Sequence, residues 1–287
     1  MIWGGGSVLT NEMLALKKAA RKAEKEGDYE TAFRVWHKLA SETSRAVFYC
    51  QSGRVARELE RWVDAEKAFL DALTFDSDLA IAMAAIGSLY LARTDGDRTD
   101  NLKTAKTWLL RALEINRTAP TLSLLGTAHY RLGEKDGAKD AYQAAIKLDA
   151  SYEEAYFNLG MLEQKEGNDA EAERLLRRAI QLDPERIGAH GLLGVLLHKR
   201  GRHSEAESEF RRCIETDPSD YFSHLYLANN LGVQQREVEA EREYRAAISL
   251  RPGQEPAIKL FANYLESLSR TEEAAELRSQ LSRAGKG

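Results

Sequence analysis

The chain has 287 residues, is 43% hydrophobic and 30% charged, and carries a net charge of −4. That balance is ordinary for a protein rich in exposed helix, and its mild acidity gives no global signal for nucleic acid. No run approaches the ~18 apolar residues of a membrane helix. The start, Met1-Ile2-Trp3-Gly4-Gly5-Gly6-Ser7, lacks the basic lead and apolar stretch of a signal peptide, so a cytoplasmic location with no membrane partner is expected.

After a tail of residues 1–12, eight units follow in order, each about 34 residues long. Their common mark is an alanine ladder: Ala32, Ala65, Ala105, Ala138, Ala172, Ala206, Ala240 and Ala274. Twelve residues before most rungs stands a Gly or Ala, among them Ala20, Gly53, Gly126, Gly160, Gly194, Ala228 and Ala262. Self-similarity at a fixed period marks a repeat architecture. The first unit, residues 13–45, is a loose copy with Trp36 and Leu39. The second, residues 46–79, carries Phe69 four places after its rung, and Cys50, which like Cys213 is expected as a reduced thiol within a helix.

The third unit, residues 80–118, holds about six extra residues around Ala92-Arg93-Thr94-Asp95-Gly96-Asp97-Arg98-Thr99-Asp100-Asn101. They are expected to form a solvated loop, with Thr99, Asp100 or Asn101 capping the helix that restarts through Ala105 and Trp108. A contact loop is the sharper reading. Asp95, Asp97 and Asp100 cluster, but the order and closing Glu of a calcium loop are absent.

The fourth unit, residues 119–152, returns to standard length with Gly133 and Tyr142. The fifth, residues 153–186, is the clearest. Tyr156, Leu159, Gly160 and Leu162 recur every three or four places, which predicts an amphipathic helix. Gly167-Asn168 breaks it, with Asn168 or Asp169 placed to cap the next helix through Ala172, Leu175, Leu176 and Ala179. Asp183-Pro184 ends the unit, because proline cannot continue a helix. Units 187–220, 221–254 and 255–284 repeat the plan, with Pro218 and Pro252 as further stops, and residues 285–287 form a tail. Where the helices of a pair cross, the small residue is expected to let the backbones approach, and the large residue after the rung to fill the space beside them. Each pair leaves an apolar face for its neighbour to cover.

These residues resemble the tetratricopeptide repeat. Leu125-Gly126, Leu159-Gly160 and Leu193-Gly194 match its paired places, Tyr49 and Tyr156 its bulky place, and Pro184, Pro218 and Pro252 its end. The resemblance covers residues 13 to about 284. It departs at the insertion, in the first unit, and in the last, where Arg278 stands for the bulky residue. It implies an all-α, right-handed superhelical solenoid of antiparallel helix pairs, running as a single array. First helices would line the concave face and bind a peptide or protein partner there, as non-enzymatic scaffolds and adaptors do.

On that expectation the groove candidates begin with a basic string, Lys17, Arg21, Lys25, Arg54 and Arg57, beside Leu14 and Val47. This string suits an acidic segment or a C-terminal carboxylate. Tyr130, Arg131, Phe157, Met161, Gln164, His198, Phe222, Leu225 and Asn229 continue the face. Phe157, Met161, Phe222 and Leu225 are large apolar residues that folding alone does not require there. The carboxylate-clamp pattern that binds heat-shock chaperone tails is largely missing, since Arg21, Gln51, Ile81 and Ala85 occupy its places. Asn158 has no matching Asn in adjacent units.

No catalytic or metal motif occurs, and Gly188, Gly191 and Gly194 lie within a helical pattern rather than in a phosphate loop. Neither cofactor nor enzymatic activity is expected. The alternatives to a peptide-binding scaffold are self-assembly through the ends of the array, using Leu265, Leu268, Leu277 and Leu281, or service as the adaptor subunit of a larger enzyme complex. Nucleic acid stands last, resting on the basic string alone.

Overall fold

The computed structural model describes residues 9–284, and every regular element in that span is an α-helix. Residues 1–8 and 285–287, and the side chains of residues 280–284 with Leu281 among them, lie outside the described part. Up to Tyr152 the chain forms one compact unit, and from Glu153 a second. The first holds four pairs: α1 (Asn11–Lys25) with α2 (Tyr29–Thr43), α3 (Ala46–Glu58) with α4 (Trp62–Phe75), α5 (Ala80–Ala92) with α6 (Arg98–Ile115), and α7 (Ala119–Arg131) with α8 (Lys135–Leu148). The second holds α9 (Glu153–Glu166) with α10 (Asp169–Leu182), α11 (Ile187–Lys199) with α12 (His203–Thr216), α13 (Tyr221–Val233) with α14 (Glu237–Leu250), and α15 (Glu255–Ser267) with α16 (Thr271–Ala284). Helix α1 starts two residues before the expected boundary because Thr10 caps it, accepting a hydrogen bond from Met13 N.

All eight rungs of the alanine ladder have no solvent exposure. The expectation for their small partners needs one refinement. A Cβ on Gly126 would lie 2.5 Å from the ring of Tyr142, and one on Gly194 would lie 2.6 Å from the ring of Phe210. What the glycine admits is therefore the aromatic ring of the second helix, the same residue expected to sit beside the crossing. Rings and alanines together make the core around Phe210, Tyr244 and Phe261, while Leu109 faces Gly87 and Leu176 faces Gly160 in place of a ring.

Within each unit, successive first helices approach one another: α3 meets α5 and α5 meets α7, while α9, α11, α13 and α15 touch in turn. Among the described residues, second helices of neighbouring pairs make no such approach. The first-helix side is thus the tighter side of each unit. One gap interrupts it, because α1 and α3 have no Cα atoms within 8 Å of each other.

The third unit corrects the expected loop. Only residues 93–97 connect α5 to α6, and α6 runs 18 residues against 14 in α8. Most of the insertion is an added helical turn. Asp97, not Thr99, Asp100 or Asn101, is the cap, accepting from Asp100 N at 2.9 Å. Asp95 is held by both Nε and Nη2 of Arg93 at 2.6 and 3.1 Å, and Asn101 donates to Asp95 O at 2.7 Å. In the fifth unit Asn168 takes the cap position without the expected side-chain cap bond. Its amide donates instead to Glu163 Oε2 at 2.7 Å.

Candidate functional site

The gap between α1 and α3 is a cleft of about 270 Å³ lined by Lys17, Arg21, Glu24, Trp36, Arg45, Val47, Gln51 and Arg54. Helical spacing of four sets Lys17 and Arg21 on one face of α1. Among the described residues neither makes an ion pair or hydrogen bond. Arg54 is engaged: it pairs with Glu24, and its Nη2 donates to Gln51 Oε1 at 3.1 Å. Glu24 also accepts from the indole N–H of Trp36, which closes the floor. The cleft therefore presents two uncommitted cations above a neutralised base.

Beside it runs an aliphatic row. Leu14, Val47 and Ile81 hold the second place of three successive units and are 42%, 53% and 67% exposed. The three stand at a fixed register, and Val47 also lines the charged cleft. Leu14 and Val47 were legible as groove residues; Arg45 and Trp36 were not, because they lie in the connection and on a second helix.

The remaining candidates of the first unit are less available. Arg57 donates to Ser88 Oγ at 3.1 Å and to Glu58 Oε1 at 2.9 Å, so it tethers α3 to α5. Arg131 donates to the backbone carbonyl of Leu91 at 2.6 Å, and Tyr130 is half-buried.

Beyond Tyr152, Phe157 is half-buried under the Arg186 guanidinium, 4.2 Å from the ring centre, and Glu153 holds that arginine at 3.0 Å. Met161 and Gln164 are half-buried on the same helix. His198 Nδ1 and His203 Nδ1 both donate to Asn230 Oδ1, at 2.8 and 3.1 Å; the Asn230 amide is oriented by its bond to His203 O at 2.9 Å. Asn229 lies 3.5 Å from His198 Nε2. Phe222 is 49% exposed, packs edge-on against Tyr221, and stacks toward Tyr226. Leu225 corrects the groove reading: at 3% exposure it belongs to the core, where α13 packs against its neighbours.

Burial pushes the thiols of Cys50 and Cys213 up to about 11, away from the thiolate form a nucleophile needs. Among the described residues no helix is long and apolar enough to cross a membrane.

Residues 123–187 and 162–226 each match a family model of the tetratricopeptide repeat. No curated protein matches this sequence. A chain of the APC/C hetero-tetramer Cut9–Hcn1 is similar in structure, with TM-score 0.71 at 15% identity over 86% of this chain and 48% of that one. This chain thus spans about half that chain's length. Pseudomonas aeruginosa PilF is similar with TM-score 0.67 at 19% identity, over 76% of this chain and 97% of that one. A MamA RS-1 ArsTM double mutant gives TM-score 0.54 at 14% identity, over 58% and 94%. At these identities the likeness is one of fold.

Proposed function

We propose, from the premise that this chain is an array of about eight tetratricopeptide repeats, that it is a non-enzymatic scaffold whose first helices hold an acidic, aliphatic segment of a partner protein. The observation that carries this reading is the cleft between α1 and α3, with Lys17 and Arg21 uncommitted beside exposed Leu14, Val47 and Ile81. A segment with carboxylates next to Leu or Ile side chains complements both features. The cations steer the encounter and select the charge, while burial of aliphatic surface supplies about 25 cal/mol per Å² before ordering costs. Recognition involves no covalent step, and the cytoplasm is the proposed setting.

The test is titration with a hexapeptide of alternating Glu and Leu, against its Gln/Leu counterpart. Lys17→Glu with Arg21→Glu should weaken Glu/Leu binding by about tenfold or more, roughly 1.4 kcal/mol. It should also flatten the dependence of affinity on salt. Arg21 is exposed and Lys17 half-buried, and neither makes an ion pair or hydrogen bond among the described residues, so the helicity of α1 is expected to persist. Unchanged affinity, or equal binding of the uncharged peptide, contradicts the assignment.

A further inference from the structure

Between α6 and α8, on the second-helix side of the four pairs that end at Tyr152, lies a cavity larger than the basic cleft, about 480 Å³. Its walls are Leu110 and Leu113 of α6, Leu122 and Leu125 of α7, and Ala141 and Ala144 of α8. That volume falls in the usual range of ligand pockets.

The repeat register explains why it is open. Two periods after Leu122 and Ala141 stand His190 and Glu209, and three periods after stand His224 and Glu243. Both later pairs close the matching space with a bridge, His190 Nδ1 to Glu209 Oε2 at 2.6 Å and His224 Nδ1 to Glu243 Oε2 at 2.7 Å. In the fifth unit Tyr156 and Leu175 fill these places. Leucine opposite alanine reaches too short a distance to do so. Gly137, where those two later units have Glu205 and Glu239, leaves room for the ring of His129, which lines the cavity at that end. Leucine methyls facing an empty space lack dispersion partners on one side, and an entering apolar group restores them.

The rim carries charge that the protein does not use. Glu114 and Asp140 line the cavity without a partner among the described residues, against one guanidinium, Arg117. We propose that this cavity is a second docking site, taking a bulky apolar side chain with a Lys or Arg beside it from a partner segment. It lies on the opposite side of those four pairs from the basic cleft and selects the opposite charge.

Tryptamine, an indole bearing an ammonium, probes this chemistry, with indole-3-propionate as its anionic counterpart. Tryptamine should shift the methyl resonances of Leu110, Leu113 and Leu122 saturably, and indole-3-propionate should bind at least about fivefold more weakly. Ala141→Leu should cut tryptamine affinity about tenfold or more, while the Glu/Leu peptide still binds the other side; that retained binding reports an intact fold and keeps this test separate from the first proposal. If Ala141→Leu does not fold, the half-buried Ala144→Leu serves. Glu114→Lys with Asp140→Lys, both exposed, should reverse the preference between the two probes. Non-saturating shifts, equal binding of both indoles, or undiminished binding in the filled variants would overturn the proposal.

Discussion

His190 illustrates how one side chain ties a repeat together. Its Nδ1 meets the Glu209 carboxylate at 2.6 Å and its Nε2 meets the Pro184 carbonyl at 3.0 Å. Both partners can only accept, and a neutral imidazole has one N–H, so the bridge asks for the protonated ring. The Glu209 hydrogen bond raises the His190 pKa above its ordinary value, against burial and the nearby Arg212 charge. The linkage follows. The bridge stabilises fully below the unfolded-state value of about 6.5 and fades as pH rises through the higher folded value. His190→Tyr, the residue found one period earlier at Tyr156, should therefore be costlier at about pH 5.5 than at about pH 9. Thermal unfolding checks this, and an equal gap between variant and parent at both pH values contradicts it. The alanine ladder was legible in the sequence because small size at a fixed period has one packing meaning. Leu225 was not, because its place faces the groove or the neighbouring helix according to how closely first helices converge.

Helix α6 carries the lesson at the scale of the element. A run such as Thr94-Asp95-Gly96-Asp97-Arg98-Thr99-Asp100-Asn101 has the composition of a loop. It also contains a cap, Asp97, three residues before an acidic first-turn residue, Asp100. The cap bond and the clasp of Arg93 on Asp95 decide for a helical turn. Asp97→Ala should cost about 1 kcal/mol and speed amide exchange at Asp100 and Asn101, whose N–H groups bond to Asp97, with the end of α6 unaffected. Hydrogen exchange read by residue is the check, and unchanged protection at those amides contradicts the capping role. The helix pairs themselves were legible throughout, since apolar spacing and the Gly and Pro breaks agree in nearly every unit.

At the scale of the whole molecule, a net charge of −4 hides a local excess of positive charge. Most arginines are spent within the fold. Arg202, Arg236 and Arg270, one period apart, each bind a glutamate three residues on and another on the preceding second helix. Composition cannot separate such committed charges from Lys17 and Arg21, which is why the basic string was visible in sequence but its available members were not. The aliphatic row had a sequence signal, the repeated second place of three units, yet its exposure needed the geometry. The most direct test of the central claim is photo-crosslinking with a Glu/Leu peptide bearing a diazirine, followed by mass-spectrometric mapping. Adducts are predicted on α1 and α3, around Leu14 to Arg54, and should disappear with Lys17→Glu and Arg21→Glu. Adducts concentrated on second helices other than α2, or beyond Glu153, or insensitive to the charge reversal, would contradict the account.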